Sequence, residues 1–282
     1  MSKNNIAKIS IIFLLLLLFL KVDFRLKTEI ECCNDDHDYY MHSETIAIDF
    51  DFDYSNQLSG FETRRNFINS KPSPIGFFGT GLLSAPFLFF GNLLDKLINL
   101  DESLSYSNKV LFYSFSSVFY LFLTFFLLSK IKNLLNINYS NLKLLLIFLG
   151  TGLPYYAFER YSMTHVYDTF AITCLVYFLI YFYKTGEARY IYLISFFNFL
   201  VLLIRWTNYQ VFFLPFIVKG LFFANSKFRL FKNLNFHIMN TIFLILFLVH
   251  TKLIWGIYTI NPRIIYNQHD FVSTYVESLF LN

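Results

Sequence analysis

From Lys109 onward the chain is a succession of apolar runs, each 15 residues or longer, separated by short polar connections. No other feature restricts the fold as much. The hydrocarbon core of a bilayer takes about 20 apolar residues of helix, and inside it every backbone N–H and C=O has to find its partner within the protein. A helix meets that demand locally, whereas an open strand edge does not. Spans are therefore expected at about residues 109–128, 142–157, 166–183, 190–204, 209–223 and 237–255. Composition supports the reading, because 56% of the 282 residues are hydrophobic and only 15% are charged, which is too apolar for an ordinary soluble domain.

The N-terminus supplies one more span. Residues 9–20 are apolar without interruption and are flanked by Lys3, Lys8 and Lys21. With the lysines snorkelling, the run extends over 6–24, close to a bilayer's thickness. A cleaved signal peptide is the competing reading, but no small-x-small cleavage site comes after the run, so an uncleaved anchor is expected. The fold class expected is an all-α polytopic membrane protein with about seven transmembrane helices, forming a single membrane domain over 1–282. Either reading of the first run places the polar segment after it outside the cytoplasm.

With the N-terminus inside, the connections 129–141, 184–189 and 224–235 fall on the cytoplasmic side. They carry Lys130, Lys132, Lys184, Arg189, Lys227, Arg229 and Lys232, and Glu187 is their only acid. This is the positive-inside distribution. The same topology makes 25–108 a long first extracytoplasmic loop with short amphipathic helices, and 256–282 an extracytoplasmic tail. Within the loop, residues 74–94 contain four glycines and Pro86. They make a poor straight span and are expected to break and turn at the membrane surface, or to dip in where protein covers the backbone, with a kinked span as the alternative.

The loop also holds an acidic island, 34–56, with seven Asp and Glu in an otherwise apolar chain. Its opening, Asp35-Asp36-His37-Asp38-Tyr39, suggests chemistry, because carboxylates crowded at a low-dielectric boundary suit a general base or a cation site. Asp36, His37 and Asp38 are candidate ligands for a divalent cation, whose involvement is left open. The alternation Asp49, Asp51, Asp53 reads equally well as a solvated loop. Cys32, Cys33 and Cys174 form neither a disulfide framework nor a zinc pattern. No basic run interleaved with aromatics is present, so nucleic acid is not an expected partner.

On this topology two further polar stretches reach the outer surface. The first, 155–170, carries Glu159, Arg160, His165 and Asp168, and the second is Arg205-Trp206-Thr207-Asn208. A cation on the side where the charge rule needs none suits an anionic ligand such as a lipid phosphate. The alternatives are an Arg205 that snorkels to headgroups and a His165 bonded to backbone at a helix start. His237 and His250 read as packing or interfacial residues.

Taken in order, these pieces resemble the GT-C class of membrane glycosyltransferases, which includes protein O-mannosyltransferases and aminoarabinose lipid A transferases. The resemblance runs from Asp35–Tyr39 and Asp51–Tyr54 through Gly81–Phe87, Phe158-Glu159, Ser162–His165 and Arg205–Asn208. It implies an enzyme that takes sugar from a polyprenyl-phosphate-linked donor and gives it to a lipid, glycan or protein acceptor at the extracytoplasmic face. It further implies that Asp35 is the general base, with Asp36 beside it. Tyr39, Glu159, Arg160, His165 and Arg205 are the expected substrate-binding residues. Two departures stand out: Arg160 occupies a position where the class has a small residue or proline, and the chain ends sooner than such enzymes do. A transporter or flippase of lipid-linked sugars, a non-catalytic membrane protein, and an inactive fragment of the enzyme are the alternatives.

Overall fold

The computed structural model of the protein describes residues 34–58, 73–98 and 108–260. The expected anchor 6–24, the Cys32-Cys33 pair and the tail from 261 onward lie outside the described residues. Among those described, every regular element is helical. The order is α1 (Asn34–Glu44, continued by a π turn, Thr45–Asp49), α2 (Phe78–Ile98), α3 (Asn108–Leu134), α4 (Asn141–Leu149) and α5 (Leu153–Phe158). Next come α6 (Thr164–Thr185), α7 (Ala188–Ile204), a 3-10 segment (Trp206–Phe213), α8 (Leu214–Phe222), a short 3-10 turn (Leu230–Lys232) and α9 (Leu234–Trp255).

The element ends are set by local chemistry. Ser140 caps α4 by accepting the Lys143 N–H at 3.2 Å. Gly186, at φ 72°, closes α6, and Gly256, at φ 76°, closes α9, both in the left-handed region that glycine enters without strain. Pro154 and Pro215 sit in the first turns of α5 and α8, where no intrahelical N–H is needed.

Four of the helices, α2, α3, α6 and α9, are long and apolar enough to cross a membrane, and α7 is apolar but only 17 residues long. The all-α class is thus present, with helices fit to embed in a membrane, but among the described residues two of the six spans expected from Lys109 onward are not single helices of span length. The run expected as a span at 142–157 divides into α4 and α5 at Gly150-Thr151-Gly152, where two glycines and the adjacent Pro154 stop one helix and start another. The run at 209–223 starts as 3-10 structure and becomes α-helical only from Leu214. Each holds enough apolar residues for a span, but neither is a helix of span length.

Residues 74–94 also differ from expectation. They form the continuous helix α2, which passes through Pro86 without a break. Its glycines serve close approach instead. A β-carbon on Gly81 would lie 2.3 Å from His42 Cβ of α1, and one on Gly79 would lie 2.5 Å from the Ile204 nitrogen at the end of α7. On Gly91 it would lie 2.4 Å from the Asn108 carbonyl at the start of α3. Small residues let three neighbours pack backbone-close on one helix, as membrane helices commonly do. Ser43 and Ser84 complete the α1–α2 crossing with a hydroxyl pair at 2.7 Å.

The main core lies between α3, α6 and α7, around Leu121, Val166, Leu175, Leu179, Ile191 and Ile194. Burying such side chains fully is worth roughly 1.5–3 kcal/mol each where the alternative is water. A second, aromatic cluster seats α1 at one end of the bundle. It contains Tyr39, Tyr54, Phe77, Phe78, Trp206 and Trp255. The outer face of α9 exposes Ile238, Ile242, Ile245, Val249 and Leu253, the surface expected of a helix against lipid.

A polar corner as the candidate functional site

The acidic island folds as a helix docked on α2, and this separates its two leading carboxylates. Successive helical residues point about 100° apart. Asp35 is exposed in the first turn of α1, whereas Asp36 is buried. Asp36 Oδ2 accepts from Arg160 Nε at 3.1 Å and from its terminal nitrogen at 2.9 Å, joining α1 to the turn between α5 and α6. The side chains are 5% and 21% exposed, so this is a charge-assisted, largely desolvated pair. Asp36 therefore acts as Arg160's counter-charge and holds α1 in place. The expectation that Asp35 and Asp36 form one acidic pair is not met by this geometry.

Asp38 has a different task. Its Oδ2 accepts the Gly76 N–H at 2.9 Å. Gly76 is again a point of close approach, because a β-carbon there would lie 2.6 Å from Asp38 Cβ. The Gly76 carbonyl accepts from His42 Nε2 at 2.9 Å, and His42 Nδ1 lies 2.8 Å from the Tyr54 hydroxyl. Because a carbonyl can only accept, His42 carries its proton on Nε2 and takes the Tyr54 O–H at Nδ1. Burial pushes the His42 pKa down to about 4; the Gly76 bond opposes that shift and nearby His250 adds to it. Trp255 Nε1 donates to the Pro74 carbonyl at 2.8 Å, so the 73–77 segment is clamped from both α1 and α9.

Among the described residues no group of three or more His, Cys, Asp or Glu is arranged to hold a metal ion. The Asp36, His37, Asp38 ligand set proposed from sequence does not converge: Asp36 faces Arg160, and Asp38 faces the Gly76 amide. Tyr39, expected to bind substrate, packs in the aromatic cluster at 5% exposure. Glu159 is exposed at the C-terminal end of α5, where its backbone N–H bonds to Tyr155.

Three of the expected ligand-binding residues do come together. Arg160 and Arg205 both act electrostatically on His165, and Arg205 also acts on Asp168. The His165 ring stacks on Tyr156 at 3.7 Å and 7°, and its Nδ1 is buried with no hydrogen-bond partner among the described residues. The alternative of a ring nitrogen bonded to backbone is thus not what Nδ1 does. Arg205 comes directly after the last residue of α7, is half-buried, and makes no side-chain hydrogen bond or ion pair among the described residues. A guanidinium held in that state is a ready partner for an anion.

Sequence reasoning placed Asp168 near this surface without giving it a role. Its Oδ1 accepts from Asn208 Nδ2 at 2.7 Å, and the Asn208 N–H bonds to the Arg205 carbonyl at 3.0 Å. Asp168 therefore pins the turn that carries Arg205. The only sequence signal for it was an acid and an amide, each at the outer end of an apolar run. The buried His42 had no signal at all, since its partners lie 12 and 34 residues away.

Among the described residues, fold and site together define an all-helical protein with four helices long and apolar enough to cross a membrane and a polar, partly cationic corner at one end of the bundle. No protein-family model, curated protein or solved structure matches the chain.

Proposed function

We propose that the protein is an integral-membrane glycosyltransferase that uses a polyprenyl-phosphate-linked sugar and acts where α1, the α5–α6 turn and the α7 end meet. One observation carries the reading: the Asp36–Arg160 bridge fixes the start of α1 against this corner, so exposed Asp35 stands one residue from Arg160's partner. Transfer needs a base to take the proton of an acceptor hydroxyl as its oxygen bonds to the anomeric carbon. It also needs positive charge where the departing phosphate gathers its electrons. In this reading Asp35 is the base and Arg205 meets the phosphate. Arg160 adds positive potential while remaining paired with Asp36, and His165 is a further hydrogen-bonding group. The acceptor is a lipid, glycan or protein hydroxyl, and the corner faces the extracytoplasmic side, opposite the end rich in Lys and Arg.

The test is transfer in membranes from a panel of radiolabelled polyprenyl-phosphate sugars, with the parent chain compared to Asp35→Asn and Arg205→Ala. Asp35→Asn should abolish transfer with insertion unchanged, and Arg205→Ala should weaken donor binding. Full activity in Asp35→Asn would remove the base, and unaltered donor affinity in Arg205→Ala would remove the phosphate site. Translocation of the lipid-linked sugar is a second reading. It is favoured by the two broken apolar segments, 141–158 and 206–222, since discontinuous helices are common at transport sites. Proteoliposomes that move the labelled donor between leaflets without consuming it would select that reading.

A further inference from the structure

The opposite end of the bundle carries a second charged surface that the proposed transfer does not use. The α6–α7 turn and the 223–233 connector are folded onto each other there. Phe228 packs so closely on Gly186 that a β-carbon would lie 2.1 Å from its ring, and Ser226 Oγ donates to the Tyr183 carbonyl at 2.9 Å. Lys184 Nζ bonds the Leu134 carbonyl and so ties in the end of α3. These contacts gather Lys130, Lys132, Lys184, Lys227, Arg229 and Lys232 at one end. The only acid in these connections is Glu187, already bridged to Arg189 at 2.7 Å.

Lys130, Lys227, Arg229 and Lys232 are exposed and form no ion pair among the described residues. Lys130 lies 5.2 Å over Phe126 and Lys227 lies 5.5 Å over Phe228, so their stems rest on aromatic surface while their charges stay accessible. In or next to the same connections in the chain are exposed apolar side chains, with Leu221 at 71%, Leu234 at 70% and Tyr139 at 58%. Like charges gathered without counter-acids repel one another, and an external anion relieves that repulsion. Exposed apolar side chains in the same connections favour an anion that is itself anchored at a bilayer surface.

We propose that this end is a binding surface for the headgroups of anionic phospholipids in the leaflet it meets, centred on Lys227, Arg229 and Lys232. The inference rests on the membrane-embedding fold and is independent of the transfer reaction. The test is reconstitution of the full chain in nanodiscs of mixed phosphatidylcholine and phosphatidylglycerol, with extraction and mass-spectrometric counting of the lipids retained. The parent should retain phosphatidylglycerol preferentially, and added sodium chloride should reduce the preference. Lys227→Gln/Arg229→Gln/Lys232→Gln should lower the preference by roughly tenfold or more, since each basic group near an anionic surface contributes appreciably. A variant with Arg229→Lys alone should keep it. Equal retention of the two lipids by the parent, or an undiminished preference in the triple variant, would overturn the proposal.

Discussion

Acid should unfold this protein partly through one residue, His42. Its imidazole is fully buried, neutral, and bonded on both nitrogens to Tyr54 and the Gly76 carbonyl. In the unfolded chain the same group titrates near 6.5, whereas in the fold its pKa is lowered to about 4, chiefly by burial. Between these values the unfolded chain binds a proton that the folded chain refuses. The stability associated with His42 is therefore complete above pH 6.5, falls as the pH drops towards 4, and is level below that. The full loss is about 3 kcal/mol, which for a chain of this size is a drop in thermal midpoint of roughly 6–12 °C. Both tryptophans of the chain, Trp206 and Trp255, lie in the aromatic cluster, and Trp255 is 6.4 Å from the His42 ring, so intrinsic fluorescence reports on this region. The assay is thermal unfolding in detergent micelles from pH 7.5 to 4, comparing the parent with His42→Gln. The variant should start less stable, and its midpoint should fall less with acid. Titrating groups that do not interact with His42 are common to both proteins and cancel in the difference, and repeating the comparison in a His250→Gln background removes the one histidine that acts on His42. Equal slopes would refute the claim that His42 is held neutral by the fold.

The remaining expectations concern the packing that builds the corner. Asp36→Ala should cost about 2–3 kcal/mol, because it strands a largely desolvated Arg160, and Asp36→Ala/Arg160→Ala should cost less than the sum of the single changes. A double-mutant cycle on thermal midpoints measures this, and additive losses would deny the coupling. Gly81→Ala should lower stability by about 2–3 kcal/mol, since the new methyl meets His42 Cβ and the α1 backbone. Gly220→Ala, which meets nothing within 4 Å in α8, should be neutral or stabilising by up to about 1 kcal/mol. If both glycine variants melt alike, the close α1–α2 crossing is wrong.

Much of the fold was legible because its signals are local. Apolar runs of span length specify helices that cannot be left in water, and α3, α6 and α9 appear close to where hydropathy puts them. Short connections between such runs bring alternate ends together, so the juxtaposition of the 155–170 and 205–208 stretches could be anticipated; Asn208 bonds Asp168, and Arg160 and Arg205 lie within electrostatic reach of His165. The gathering of Lys and Arg in the opposite connections was likewise written in their order along the chain.

The tertiary structure decided what depends on distant partners. Hydropathy is the same for one span and for two short helices, so the division at Gly150–Gly152 hinged on backbone geometry more than on apolarity. The glycines of α2 read as breaks, because sequence cannot tell a glycine that bends a chain from one that admits a neighbour's backbone. Asp35 and Asp36 are indistinguishable as neighbouring acids. Only docking of α1 on α2 turns one to the surface and the other to an arginine 124 residues away. Periodicity and charge order act within a few residues and were fixed by the sequence alone, whereas the roles of Asp36, His42 and Asp168 come from contacts that exist only once the helices pack.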